Sequence, residues 1–163
     1  MIPILLTLAL AQAPVARSPH PTPASETSMS AHATGTFEVK VKPLTADNAE
    51  WGAFGRLSID KTFRGDLEGT SLGQMLAEGD GKGASGGYVA LERVSGTLGG
   101  RKGTFVLMHT GTLVDRKPEM TITVVPGSGT GELAGLAGRF QILIEGGKHS
   151  YEFAYSLPAG KNN

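Results

Sequence analysis

The chain has no cysteine, which removes disulfides, thiolate metal sites and thiol nucleophiles together. It has no charge excess either, with 15 basic residues against 15 acidic ones. Nucleic acid and acidic membrane surfaces are recognised through a basic excess, so neither is expected as a partner. The apolar run Ile2 to Leu10 falls far short of the ~20 residues that a membrane-spanning helix needs. Histidine is scarce too. His20 and His32 lie in the tail, and His109 and His149 have no ligand partner at motif spacing, so no metal and no cofactor are expected.

Glycine is abundant. Its 24 residues, set between strand-forming segments, point to an all-β domain with many tight turns. A length of 163 residues suits one well-buried domain plus a tail. At the amino terminus, residues 1–13 read as a signal peptide with small-x-small cleavage sites at Ala9-Leu10-Ala11 and Ala11-Gln12-Ala13. That predicts export to the periplasm or beyond. No Lys or Arg precedes the run, and Pro3 interrupts it, so a start at Met29 and a cytoplasmic protein is the alternative. Residues 14–32 form a Pro/Ser/Thr-rich linker without periodicity, expected to be disordered. The domain is expected over 33–158, with a tail over 159–163.

Within the domain, Phe37, Val39 and Val41 alternate with Glu38, Lys40 and Lys42, the mark of a half-buried strand. Ala46 to Gly52 reads as a loop or one helical turn carrying Trp51. Further strands are expected over Phe54–Phe63, Leu67–Ala77, Tyr88–Leu98, Gly103–Val114, Met120–Val125, Phe140–Glu145 and Lys148–Leu157. Asp80 to Gly87 reads as a glycine-rich loop. Eight short strands at regular spacing predict a small antiparallel sheet that closes into a β-barrel.

Register follows from the turns. With Gly146-Gly147 as a two-residue turn, Ile144 faces His149, Ile142 faces Tyr151 and Phe140 faces Phe153, all on the inner face. Between Leu98 and Gly103, a turn of two or four residues puts Glu92 on the same face as His109, diagonal in the first case and opposite in the second, whereas a three-residue turn separates them. A two-residue turn near Gly65 would put Glu68 and Gln74 on the face of Leu57, Ile59 and Phe63. The other parity exposes them.

From Ala33 to Leu157 the chain resembles the DUF3224 family of uncharacterised small proteins. The resemblance is carried by Tyr88-Val89-Ala90-Leu91-Glu92-Arg93, the Gly103 to Gly111 strand, Ser128-Gly129-Thr130-Gly131-Glu132-Leu133 and His149-Ser150-Tyr151. It implies an eight-stranded, allene oxide cyclase-like barrel and no established activity. The run Gly129 to Gly138 is also similar to the stretch by which allene oxide cyclases and dirigent proteins enter a barrel strand. A shared fold does not transfer function.

Glu92 and His109 are the candidate catalytic pair, a carboxylate holding an imidazole in one tautomer for proton transfer. A polar pair at the barrel mouth is the plainer alternative. Tyr88, Tyr151 and Tyr155, with Glu68 and Gln74, are the candidate ligand-binding residues, although tyrosines are more often core aromatics with the hydroxyl at the rim. His149 is expected on the solvent side at a barrel end. The run Gly127 to Gly135 lacks the Lys-Ser/Thr of a phosphate loop and precedes a strand, so it reads as a tight bend. Three functions remain open: a barrel holding a small, mainly apolar molecule, a cofactor-independent isomerase or cyclase, and a filled barrel acting through its surface as an oligomer.

Overall fold

The computed structural model describes residues 28–45, 54–79 and 83–159, and the two-residue alternation becomes eight strands there. They are β1 (Ser28–Leu44), β2 (Gly55–Gly65), β3 (Leu67–Glu78), β4 (Gly86–Leu98), β5 (Arg101–Val114), β6 (Lys117–Val124), β7 (Ala137–Glu145) and β8 (Lys148–Pro158). Each pairs antiparallel with the next, and β8 pairs back onto β1 to close the barrel. The expected leader, the loop around Trp51 and residues 160–163 lie outside the described residues. The end of the expected linker does not: Ser28 to His32 already belong to β1, opposite Pro158 to Ala154. No helix among the described residues is long and apolar enough to cross a membrane.

The turns decide which side chains face inward. Gly99 and Gly100, with φ of 54° and 82°, make a two-residue turn whose handedness matches strand twist, so Leu98 faces Arg101. The β7–β8 turn at Gly146-Gly147 works the same way, and the predicted pairs Ile144–His149, Ile142–Tyr151 and Phe140–Phe153 are all present. The β2–β3 turn differs. Phe63 faces Gly69, so an odd number of residues intervenes, with Gly65 at φ 110° absorbing the extra one.

One end of the barrel is plugged. Leu67, Leu98, Phe105, Leu133, Leu136 and Phe153 are all essentially without solvent contact there. The glycine-rich segment crosses this end and completes the wall where β6 stops pairing with β5. Val125 and Thr130 donate N–H to the carbonyls of Val106 and Thr104. In return Ser128 Oγ, Thr130 Oγ1 and Glu132 Oε2 accept from the N–H groups of Val106, Thr104 and Lys102, at 3.0, 3.1 and 2.8 Å. Alternate side chains of the motif thus stand in for a strand. Above the plug, Gly69, Gly96 and Gly103 lie side by side across β3, β4 and β5. A Cβ at Gly96 would overlap the carbonyl of Glu68, and one at Gly69 that of Ser95.

The middle of the barrel is filled by rings. Phe63 packs edge-on to Phe140 and Tyr151, with centroids 6.1 and 6.0 Å apart, and Phe140 stacks on Tyr151 at 5.1 Å. Among the described residues the opposite end is open, with Val41, Met120 and Ile144 left exposed. It carries the β5–β6 turn, where Arg116 N–H reaches the carbonyl of Ala84 at 2.9 Å and ties that turn to the β3–β4 connection. On the far side of this mouth, β6 and β7 are paired only through Ile122–Phe140 and Thr123–Arg139.

Candidate functional site

Four polar side chains meet between the aromatic layer and the open mouth. Glu92 is wholly buried, and Lys61, Ser71 and His109 are nearly so. Alternation on β2 puts Lys61 inward between Ile59 and Phe63, and the register sets Ser71 directly opposite it. Gly73 lies opposite Glu92 on β4, with no side chain to fill the space. His109 sits one rung nearer the mouth, diagonal to Glu92, because Glu92 pairs with Leu107 and Ala90 with His109. The two candidate catalytic residues therefore do meet.

Three side chains converge on the carboxylate. Its Oε2 accepts from Lys61 Nζ at 2.8 Å and lies 2.9 Å from His109 Nε2, while Oε1 accepts from Ser71 Oγ. Burial alone would raise the Glu92 carboxyl, but His109, the Lys61 charge and hydrogen bond, and the Ser71 hydroxyl outweigh it and hold it at about 2. Lys61 also lies over the rings of Phe37 and Phe63, at 5.0 and 5.8 Å from their centroids. With its carboxyl held so low, Glu92 does not take up protons near neutrality. Its role is to hold charge and orientation.

His109 is different. Its Nε2 approaches Oε2 closely but without the alignment of a full hydrogen bond, leaving it the one buried side-chain nitrogen or oxygen without such a bond among the described residues. Two unprotonated acceptors would repel at 2.9 Å, so the proton of the neutral ring resides on Nε2 and Nδ1 remains the basic atom.

The three tyrosines are split among three levels. Tyr88 lines a pocket of about 240 Å³ at the mouth, with Met75, Ala77, Gly111, Leu113 and Met120. Its hydroxyl is pushed above the usual range by burial and by the negative Glu92, so it stays a donor. A Cβ at Gly111 would overlap the Tyr88 ring, which seats the ring there. Tyr151 is instead a strut: its hydroxyl accepts from Leu67 N–H at 2.8 Å in the buried core. Tyr155 packs at a tilt against Phe153, with centroids 5.2 Å apart, near the plugged end and remote from Glu92 in the register.

Glu68 and Gln74 are not inward. The odd β2–β3 turn puts both on the outer face, where Gln74 accepts from Arg56 Nη2 at 3.2 Å. His149 is half-buried rather than at the solvent side, its ring 5.2 Å from that of Phe37. Lys61 and Ser71 escaped the sequence reading. The available signal was a lone cation on the apolar phase of β2.

A protein family described as of unknown function, DUF3224, matches residues 33–155. The chain belongs to the DUF3224 family. It is similar to a crystal structure of a DUF3224 protein of unknown function from Shewanella oneidensis MR-1. The two are 43% identical, with a TM-score of 0.74, covering 81% of this chain and 100% of that one. No curated protein matches the chain. Of this DUF3224 barrel, the buried quartet and the mouth above it are the parts with chemistry to offer. No group of three or more His, Cys, Asp or Glu side chains able to hold a metal ion occurs among the described residues.

Proposed function

We propose that the protein binds a small, mainly apolar molecule in the open mouth of the barrel, above Tyr88 and His109. The observation that carries this is exposure on the inner face. Val41, Met120 and Ile144 point toward the barrel axis, yet they are 48%, 44% and 62% exposed. Apolar side chains turned inward but left wet, around a few polar groups, suit an apolar occupant. N-phenyl-1-naphthylamine, which fluoresces on leaving water, is expected to bind the wild-type protein. Ala77→Trp fills the mouth pocket and is expected to weaken binding about tenfold, or ~1.4 kcal/mol. Leu91→Arg, on the outer wall, leaves it unchanged. Full binding by Ala77→Trp would remove the mouth as the site.

A second function, a cofactor-independent isomerase or cyclase, is favoured by one geometric fact. Tyr88, His109 and Glu92 descend from the mouth rung by rung, with His109 held 2.9 Å from Glu92. Here His109 Nδ1 moves the proton, Glu92 orients the ring and Tyr88 donates to a substrate oxygen. Nitrogen-15 NMR of neutral His109 is expected to show the Nε2–H tautomer, and Glu92→Gln is expected to erode that preference. A ring protonated mainly on Nδ1 would end this assignment.

A further inference from the structure

We propose that the outer face of β3, β4 and β5 is a dimer interface, and that its occupant is a second copy of this chain. Strand positions facing away from a barrel are ordinarily polar when that face meets water. Here Leu72, Leu76, Val89, Leu91 and Met108 all face outward and are 71%, 47%, 54%, 57% and 45% exposed. They form one patch. Leu76 lies opposite Val89, Leu91 lies opposite Met108, and Leu72, opposite Arg93, is the diagonal neighbour of Leu91. Isolated exposed leucines need no explanation, but a contiguous group of five marks an interaction surface.

Shape, charge and size favour a second copy. Leu72 stands out beside a groove of about 580 Å³ whose walls include Leu76, Val89, Leu91 and Met108. A projection next to a recess on one surface is what a two-fold contact uses, each copy filling the other. Arg56, which donates to Gln74 Oε1, lines the same groove, and Leu72 is flanked across the ladder by Asp60 on one side and Arg93 on the other. With formal net charge zero, two copies meet without long-range repulsion, and no oppositely charged partner is called for.

Strands β3 to β5 are 12 to 14 residues long. At ~3.3 Å per residue and ~4.8 Å between strands they offer a face on the order of 570–670 Å², the lower end of what each partner gives to a standard interface. Strands β3, β4 and β5 have ladder partners on both sides along the patch, so the second copy packs face to face and does not add a strand.

Sedimentation velocity over a rising concentration series tests this. The wild-type protein is expected at twice its 16.9 kDa chain mass. Leu91→Arg is expected to raise the dissociation constant about a hundredfold or more and return the protein to monomer, with an unchanged circular dichroism spectrum. Leu76→Lys is expected to do the same, while Ala77→Trp, which alters only the mouth, leaves the dimer intact. A monomeric wild type, or Leu91→Arg and Leu76→Lys proteins of wild-type mass, would overturn the proposal.

Discussion

Glu92→Gln is expected to destabilise the barrel by about 3–5 kcal/mol, because it strands the Lys61 charge in a dry interior. Among the described residues, Lys61 Nζ donates to the Glu92 carboxylate at 2.8 Å and lies over the faces of Phe37 and Phe63. Lys61→Met strands the opposite charge and is expected to be similarly damaging. The double variant Glu92→Gln, Lys61→Met removes both charges and is expected to recover most of the loss. Urea unfolding of the four proteins closes the cycle. A double variant as unstable as the two losses added together would show that the charges do not depend on each other.

The pH dependence has a definite sign. The folded carboxyl is depressed from 4.5 to about 2, so its stabilisation is fully present above about 4.5 and fades as pH falls toward 2. The shift corresponds to about 3 kcal/mol at neutrality. Wild type should therefore lose stability relative to the double variant as pH falls, and the double variant should become the more stable of the two in acid.

Gly96→Ala is expected to cost about 3 kcal/mol or more, although it adds a single methyl group. Gly96 sits between Gly69 and Gly103 in the row across β3, β4 and β5, and its Cβ would strike the backbone of Glu68 and Gly69. Backbone in a paired strand has nowhere to go, unlike the end of a long side chain. Gly87→Ala, on the same strand, is the control. Its nearest neighbour would be Gly111 O at 3.4 Å, an ordinary contact, and little change in urea midpoint is expected. Equal midpoints for the two variants would mean that β3 and β4 can part without penalty.

The register of β7–β8 was legible because two adjacent glycines leave one tight turn, and every pair then follows by counting. The meeting of Glu92 and His109 was legible for the same reason, since either even turn places them on one face. Glu68 and Gln74 were harder because an added residue at Gly65 reverses parity. Leu72 and Leu76, on the same parity as Glu68 and Gln74, look like core residues while covering the outside. Lys61 and Ser71 belong to the site through pairing between β2 and β3, so reading one strand at a time could not join them to Glu92. The Ser128 to Glu132 motif shows a further limit. Its glycines announced a bend, but nothing local said that its side chains would serve as rungs for β5.

The seam between β6 and β7 makes the barrel mechanically uneven. Two residue pairs hold it, where the next shortest ladder, β5 to β6, has eight. Main-chain pairing is therefore thinnest along this seam, and β7 amides toward the Gly146-Gly147 tip are expected to exchange with solvent sooner than those of the aromatic midsection.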